Sequence, residues 1–127
     1  MSGEVVLVVD DNDKNLKLTC DLLRLRSFRP VEARNGAEAL GAVRTGDNPP
    51  ALVLMDVQLP DMDGSQVLQQ LRADPSTASI PVVALTAFAM KGDRERLLAA
   101  GFDGYLSKPI DVRTFVDGLL PLLPNGG

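Results

Sequence analysis

Short apolar runs of strand length alternate with stretches of helical period throughout this chain. The first run, Val5 to Val9, is β-branched and continuously apolar, which is typical of a strand covered on both faces of a parallel sheet. Because parallel strands are joined by long right-handed crossovers, the alternation indicates one helix after each strand. It therefore predicts a doubly wound α/β layer structure with the element order βαβαβαβαβα.

Capping and turn-forming residues set the predicted bounds of these elements. Asn12 or Asp13 can cap a first helix that runs to about Ser27, and Asn35 has the spacing of an N-cap for the second helix. Gly101 is expected as the C′ residue of a helix that begins near Ala89. The predicted strands are Val5–Val9, Val31–Ala33, Ala51–Met55, Ile80–Leu85 and Asp103–Leu106, and a last helix is predicted from Asp111 until Pro121 and Pro124 stop it.

Length and composition limit the classes of function that are open to the chain. Its 127 residues predict one domain, which we expect over 1–123 with a short tail at 124–127. The formal net charge of −4 argues against nucleic acid as a partner. No apolar run approaches the ~18 residues that a membrane-spanning helix needs, so no membrane role is predicted. The first residues lack the order of a signal peptide, and we expect a cytoplasmic protein.

The scarce residue types narrow the chemistry further. The chain has no histidine, which excludes Ser-His-Asp and Cys-His catalysis, histidine-held zinc and a phosphohistidine relay within the chain. Cys20 is the one cysteine of the sequence, and its place in a helical pattern favours a small buried hydrophobe over a catalytic thiol. Any phosphoryl chemistry of this chain must therefore use carboxylates.

Four of the apolar runs end on residues that can handle a phosphoryl group. These ends are Asp10-Asp11 after Val5-Val9, Asp56 after Leu52-Met55, Thr86 after Val82-Leu85, and Ser107-Lys108-Pro109 after Tyr105-Leu106. Because the carboxyl ends of parallel strands share one edge of a sheet, three carboxylates, a hydroxyl and an ammonium are expected around one crevice. The sequence therefore predicts a site for a divalent metal and a phosphate.

Three neighbouring carboxylates require a cation. Two carboxylates ~4 Å apart repel by about 1 kcal/mol in water and by about 4 kcal/mol at an effective dielectric constant near 20. Mg²⁺ suits all-oxygen ligands, and Mn²⁺ is a second candidate. We expect Asp11 and Asp56 as direct ligands, with Asp10 acting through a water or by orienting the site.

Asp56 has a second use, because a metal-held carboxylate can attack a phosphoryl group and form an aspartyl phosphate. Lys108 can then supply a charge to one phosphate oxygen, and the Thr86 hydroxyl can donate to another. Taken alone, each residue has a plainer explanation: a helix cap or solvated turn for Asp11, a strand residue for Thr86, a solvated charge for Lys108. Their combination at the ends of different predicted strands favours the site.

Four segments resemble the receiver domain of two-component response regulators, over essentially the whole chain. The segments are Leu7 to Asn12, Leu54 to Gly64, Pro81 to Ala87 and Tyr105 to Pro109. The resemblance implies a flavodoxin-like (βα)5 fold whose five parallel strands are arranged in the order 2-1-3-4-5. It also implies a signalling module, with no attached output domain expected.

The resemblance gives each site residue a role. Asp56 would be the phosphoacceptor, receiving its phosphoryl group from the phosphohistidine of a histidine kinase or of a histidine phosphotransfer protein. Asp10 and Asp11 would be the acidic metal pair, and the Gln58 backbone carbonyl would be a further metal ligand. Thr86 and Lys108 would hold the phosphate. Thr86 and Tyr105 together would form the conformational switch. The chain would not be an enzyme acting on other substrates, but would catalyse its own phosphorylation and dephosphorylation.

The resemblance also implies that the first helix contacts the kinase. Its two apolar stripes lie nearly opposite each other, so only one of them can face the sheet. The stripes are Leu18, Leu22 and Leu25 on one side and Leu16, Cys20 and Leu23 on the other. The residues expected to contact a partner are Asn15, Leu16, Leu18, Pro109 and Ile110. A downstream protein is expected to bind the fourth helix, fifth strand and fifth helix, and the chain is expected to be a monomer, with dimerisation on phosphorylation left open.

Three alternatives stay open from the sequence alone. The segment from Thr86 to Asp93 looks most like stand-alone receivers of the cell-cycle type and like receivers of hybrid kinases, so the chain can also be a receiver excised from a hybrid histidine kinase. A small Mg²⁺-dependent aspartyl-phosphate hydrolase would need a substrate-binding cap, which so short a chain does not show. The third alternative is a flavodoxin-like domain that binds flavin mononucleotide at the same sheet edge, although the three carboxylates would repel the phosphate of that cofactor.

Overall fold

The architecture is a five-stranded parallel sheet between layers of helices. The structure, a computed structural model, describes residues 5–45, 50–86 and 91–107. The strands are β1 Val5–Val9, β2 Arg29–Ala33, β3 Leu52–Asp56, β4 Val82–Thr86 and β5 Gly104–Ser107. They pair in parallel in the order β2-β1-β3-β4-β5. The predicted doubly wound fold and its strand order are therefore confirmed.

Helices connect the strands and cover the sheet on both faces. The described helices are α1 Asp13–Leu25, α2 Gly36–Thr45, α3 Gly64–Ala73 and α4 Lys91–Ala100. The helix predicted from Asp111 lies outside the described residues. None of these four helices combines the length and the apolar character that crossing a bilayer requires.

The sheet divides the core into two halves. On one face α1 contributes Leu16 and Leu23, while on the other face α2, α3 and α4 contribute Leu40, Leu68 and Leu97. β3 and β4 are buried along their whole length, as their uninterrupted apolar sequences predict for strands covered on both faces. This burial fixes the register of the two strands on which the predicted site depends.

The bounds of four strands differ from the predicted ones, and β5 begins and ends one residue later than predicted. β3 extends to Asp56 and β4 to Thr86, so both polar residues belong to the strands rather than to the loops that follow. β2 begins at Arg29, earlier than predicted, because an edge strand tolerates the missing N–H donor of Pro30. β4 begins after Ile80, whose N–H group instead donates to the Thr77 carbonyl in a turn.

α1 turns one apolar stripe to the sheet and leaves part of the other in solvent. Leu16, Cys20 and Leu23 are at most 1% exposed, whereas Leu18 is 39% and Leu25 is 78% exposed. The side chain of Leu16 is therefore turned into the core. The predicted contact of Leu16 with a partner is wrong, because Leu16 lies on the face of α1 that packs against the sheet.

Cys20 lies in the core beneath β2, as a small buried residue of the predicted kind. Its Sγ lies 3.8 Å from the Glu32 Oε2 atom. Burial, with the Glu32 carboxylate beside it, raises the pKa of the Cys20 thiol to about 11. The thiol is therefore neutral at physiological pH, which makes it a poor nucleophile.

α1 ends at Leu25, before the predicted end at Ser27. The Ser27 N–H group donates to the Arg24 carbonyl and the Phe28 N–H group to the Leu23 carbonyl, which is a Schellman motif. Ser27 has a φ of 67°, in the left-handed region that is unfavourable for residues with a Cβ.

The same motif closes α4, at the position where glycine was expected. Gly101 has a φ of 111° and donates from its N–H group to the Leu98 carbonyl, while Phe102 donates to the Leu97 carbonyl. The predicted C′ role of Gly101 is therefore confirmed, and α4 offers a matched comparison for Ser27.

We expect Ser27→Gly to raise the free energy of unfolding by about 0.5 to 1 kcal/mol. Glycine removes a left-handed strain of about 1 to 2 kcal/mol, and its greater freedom in the unfolded chain offsets about 0.5 to 1 kcal/mol of that gain. Urea unfolding followed by circular dichroism measures the change. Gly101→Ser, the reverse exchange at the equivalent position of α4, should destabilise the protein. A Ser27→Gly protein that is no more stable than the parent would contradict this account.

Candidate functional site

Three carboxylates converge at the carboxyl edge of the sheet. Asp10 and Asp11 follow β1, and Asp56 is the last residue of the neighbouring strand β3. One oxygen of each carboxylate lies within 4.8 Å of the others. Asp10 is 1% and Asp56 5% exposed, while Asp11 is open to solvent. The structure therefore brings together the three predicted metal ligands in one acidic cluster.

Asp10 stands at the point where β1 gives way to α1. Its N–H group donates to the Ala33 carbonyl at 3.0 Å, which extends the pairing with β2, and its Oδ1 atom accepts from the Asn12 N–H group at 2.9 Å. The Asn12 side chain then caps α1 by accepting from the N–H groups of Lys14 and Asn15. The positive end of the α1 dipole thus begins directly beyond the acidic pair.

Backbone contacts around β3 hold Asp56 in place. Its Oδ1 atom accepts from the Gln58 N–H group at 2.9 Å, and the Val57 N–H group donates to the Leu85 carbonyl of β4 at 3.1 Å. Gln58 also forms an antiparallel bridge with Asp63. The residue predicted as a backbone ligand therefore lies directly beside the predicted phosphoacceptor.

Gly64 permits this close packing. A Cβ atom at this position would lie 2.8 Å from the Asp56 carbonyl oxygen and 2.9 Å from the Val57 Cα atom. Both neighbours are backbone atoms, so they cannot move aside as the end of a flexible side chain can. The first turn of α3 can approach the end of β3 this closely only because residue 64 has no side chain.

Thr86 and Tyr105 lie on adjacent strands and on the same face of the sheet. β4 pairs with β5 through Ala84 with Tyr105 and Thr86 with Ser107, and side chains two residues apart on a strand share a face. Thr86 is buried, while Tyr105 is half-buried against the core on the side of α2, α3 and α4. The two residues of the predicted switch therefore share one face of the sheet on neighbouring strands.

Several predicted residues stand apart from the acidic cluster. Lys108, Pro109 and Ile110 lie outside the described residues. Asn15 lies in the first turn of α1 and is half-buried, and Leu18 is partly exposed on the same helix. Of the predicted partner contacts within the described residues, Asn15 and Leu18 therefore remain accessible, and Leu16 does not.

Asp61 is a feature of the site region that the sequence does not reveal. Its Oδ1 atom accepts from the Gly36 N–H group at 2.8 Å, and its Oδ2 atom accepts from the Ala37 N–H group at 3.1 Å. These hydrogen bonds, that from Gly36 above all, hold the pKa of the Asp61 carboxyl below its usual range. In the sequence, Asp61 is one of several turn formers in a loop, and no local pattern indicates a contact 25 residues away.

The donor set of the acidic cluster fits a hard divalent cation. Three carboxylate oxygens, two of them on buried residues, offer the ligand chemistry that Mg²⁺ and Mn²⁺ share. A cation there would offset the mutual repulsion of the carboxylates, which is stronger for buried groups than for groups in water. Asp10, Asp11 and Asp56 can therefore hold a metal ion.

Comparison with known proteins finds response regulators and receiver domains. The polar-differentiation response regulator DivK of Brucella anthropi is 45% identical over 112 residues, which are 88% of this chain and 89% of that protein. The receiver domain of sensor histidine kinase PA1611 from Pseudomonas aeruginosa PAO1, solved with a magnesium ion coordinated in its active-site cleft, is 33% identical with a TM-score of 0.78. That match covers 88% of this chain and 90% of the other.

A further solved structure supports the fold alone. The chemotaxis response regulator CheY4 of Vibrio cholerae aligns with a TM-score of 0.87 over 96% of this chain and 100% of that chain, at 24% identity.

The family comparison covers nearly all of the described residues. Residues 6–119 match the model of the response regulator receiver domain. The matched range includes the acidic cluster, Gln58, Thr86 and Tyr105. The chain therefore belongs to the response regulator receiver domain family of two-component signalling.

Proposed function

We propose that this receiver domain accepts a phosphoryl group on Asp56, with Mg²⁺ held by the acidic cluster, and that phosphorylation switches a surface that a partner protein reads. The observation that carries the proposal is the position of Asp56. It is a buried carboxylate at a strand end, oriented by the Gln58 N–H group, with the Asp10 and Asp11 carboxylates close enough to share a metal ion.

The transfer itself is an in-line displacement. A carboxylate oxygen of Asp56 forms the new O–P bond while the P–N bond of a phosphohistidine breaks, and the imidazole nitrogen keeps the electron pair. A divalent ion held by Asp10, Asp11 and Asp56 would supply charge neutralisation for the phosphoryl group. The hydrogen bond from the Gln58 N–H group fixes the carboxylate plane, so the chain supplies geometry rather than an acid or a base.

The other site residues have roles that their chemistry allows. Asp11 and the Gln58 backbone carbonyl would bind the ion directly, and Asp10 would act through a water or by orienting the site. Lys108 would neutralise the phosphate as a point charge, and the Thr86 hydroxyl would donate to a phosphate oxygen. Attack of water on the same phosphorus would return free Asp56, so the chain would catalyse its own dephosphorylation.

The donor and the reader of the phosphoryl group are protein partners. The donor would be a histidine kinase or a histidine phosphotransfer protein that contacts α1 at Asn15 and Leu18. The reader would be a downstream protein whose surface responds to Thr86 and Tyr105. Phosphorylation adds about two negative charges at the edge of the sheet, which can bias a segment that has two arrangements.

We expect Asp56→Asn to abolish labelling by acetyl phosphate in the presence of Mg²⁺. The amide has the shape of the carboxylate but is not a nucleophile. Intact-mass spectrometry, which detects the added phosphoryl group, measures the effect. Asp21→Asn, which removes an exposed carboxylate from α1, is the matched control and should be labelled like the parent. Persistent labelling of Asp56→Asn would defeat the assignment of the phosphoacceptor.

Asp11→Asn should stabilise the metal-free protein and weaken its response to Mg²⁺. Removing one of three close carboxylates relieves a repulsion of about 1 kcal/mol or more, while it also removes a ligand. Urea unfolding in EDTA and in saturating Mg²⁺ separates the two effects. Asp21→Asn changes the net charge by the same amount away from the cluster and should alter neither. Lower stability in EDTA with an unchanged gain from Mg²⁺ would refute the proposed metal site.

Tyrosine fluorescence should report the switch directly. The chain has one tyrosine and no tryptophan, so its emission comes from Tyr105. We expect phosphorylation of the parent to change this emission. The Thr86→Ala protein should still be labelled but should lose most of the change in emission, because alanine has no hydroxyl to follow the phosphate. Thr86→Ser, which keeps the hydroxyl, is the control. An equal change in Thr86→Ala would show that Tyr105 responds independently of Thr86.

A further inference from the structure

The loop of residues 57–63, which joins β3 to α3, is bound at its middle to a different helix. The Asp61 carboxylate accepts from the N–H groups of Gly36 and Ala37, one on each oxygen, at 2.8 and 3.1 Å. N–H groups in the first turn of a helix have no partner within the helix, and the dipole favours a negative charge there. Asp61 therefore ties this loop to the start of α2.

Side-chain packing reinforces the same contact. A Cβ atom at Gly36 would lie 2.5 Å from the Met62 Cγ atom and 2.6 Å from its Sδ atom. The loop thus rests directly on the backbone at the start of α2, with Met62 filling the space beside the Asp61 hydrogen bonds.

Each end of the loop has hydrogen bonds of its own. At the β3 end, the Gln58 N–H group donates to Asp56 Oδ1. At the α3 end, Asp63 and Gln66 form a capping box, and the Gly64 N–H group donates to the Val57 carbonyl. Between these two ends, Asp61 and Met62 hold the middle of the loop against the start of α2.

α2 has a cap of its own and does not depend on Asp61 for one. The Asn35 Oδ1 atom accepts from the Glu38 N–H group at 2.8 Å, and the Glu38 carboxylate reaches back to the Arg34 N–H group at 3.1 Å. Asn35 and Asp61 thus cap the same helix end, but of these two caps Asp61 is the one that belongs to the loop carrying Gln58. Substituting each residue in turn therefore separates the effect of a lost helix cap from the effect of a displaced loop.

We propose that Asp61 is a positioning residue for the metal ion: by holding the loop of residues 57–63 against the start of α2, it sets where the Gln58 carbonyl lies relative to the acidic cluster. This inference rests on the proposed function, since it takes Gln58 as a metal ligand. Gln58 is three residues from Asp61, and Pro60 between them limits the backbone freedom that could absorb a displacement.

The test compares Asp61→Ala, Asp61→Asn and Asn35→Ala in the full chain. Isothermal titration calorimetry with MgCl₂ measures the metal affinity, and acetyl phosphate labelling at subsaturating Mg²⁺ measures the transfer. Both are recorded below the onset of thermal unfolding of the least stable variant, which circular dichroism determines.

Asp61→Ala should weaken Mg²⁺ binding roughly tenfold, at the lower end of the effect of residues that orient metal ligands. Asp61→Asn, which keeps an acceptor oxygen for Gly36, should recover most of that loss. Asn35→Ala should lower the unfolding temperature as any lost helix cap does, yet bind Mg²⁺ within about twofold of the parent.

Two outcomes would overturn the inference. One is an Mg²⁺ affinity of Asp61→Ala that equals that of the parent, and the other is an equal loss of affinity in Asn35→Ala. A parent protein that binds Mg²⁺ but is not labelled would instead defeat the proposed function, and the comparison of metal affinities would still decide the role of Asp61.

Discussion

The parallel pairing of β1 with β3 is the constraint on which the rest of the site depends. The register joins Val8 to Leu54 and Val9 to Met55, so the residues that follow, Asp10 and Asp56, end neighbouring strands at the same edge. Close packing on both faces holds this register, because a slip by one residue would turn each strand's side chains to the opposite face, where they would meet neighbours of different shape. Two buried carboxylates are thereby forced together, and a cation is the simplest way to offset their repulsion.

The surroundings of the acidic cluster differ on its two sides. The loop of residues 57–63 is held by a capping box, by the close approach that Gly64 permits, and by the Asp61 tie to α2. On the other side, Tyr105 is only half-buried on the edge strand β5. Under the proposed function, the loop would present a metal ligand and the partly exposed aromatic would report a change to a partner. The fold would then separate metal binding from readout across the width of one sheet.

The relatives belong to two kinds of protein. DivK of Brucella anthropi is named as a response regulator, whereas the PA1611 match is the receiver domain of a sensor histidine kinase. Both resemble this chain over most of its length, which means that the same module serves in either arrangement. Membership of the receiver family also removes the support for the flavin-binding and hydrolase alternatives, because the receiver family accounts for the sheet edge and its carboxylates, on which these alternatives rested.

The sequence by itself determined the layer architecture and the three carboxylates of the acidic cluster. Uninterrupted apolar runs predict strands that are buried on both faces, and parallel strands must end at a common edge, so Asp10, Asp56 and Thr86 could be placed near one another from local patterns. Capping chemistry likewise placed Asn12 and Gly101 at helix ends. The strand bounds were less certain, because a polar residue at a strand end can either pair or leave the sheet.

Only the tertiary structure decided which faces and which loops meet. Both stripes of α1 are apolar, so the helical period of the sequence did not show which stripe faces the sheet. In the structure Leu16 faces the sheet and Leu18 does not. Ser27 carries no sign of the left-handed conformation that Phe28 imposes on it by donating back to Leu23. The contact of Asp61 with Gly36 joins residues 25 apart. Periodic patterns encode the burial of each element, whereas such contacts arise from the packing of α2 beside α3, which no local pattern records.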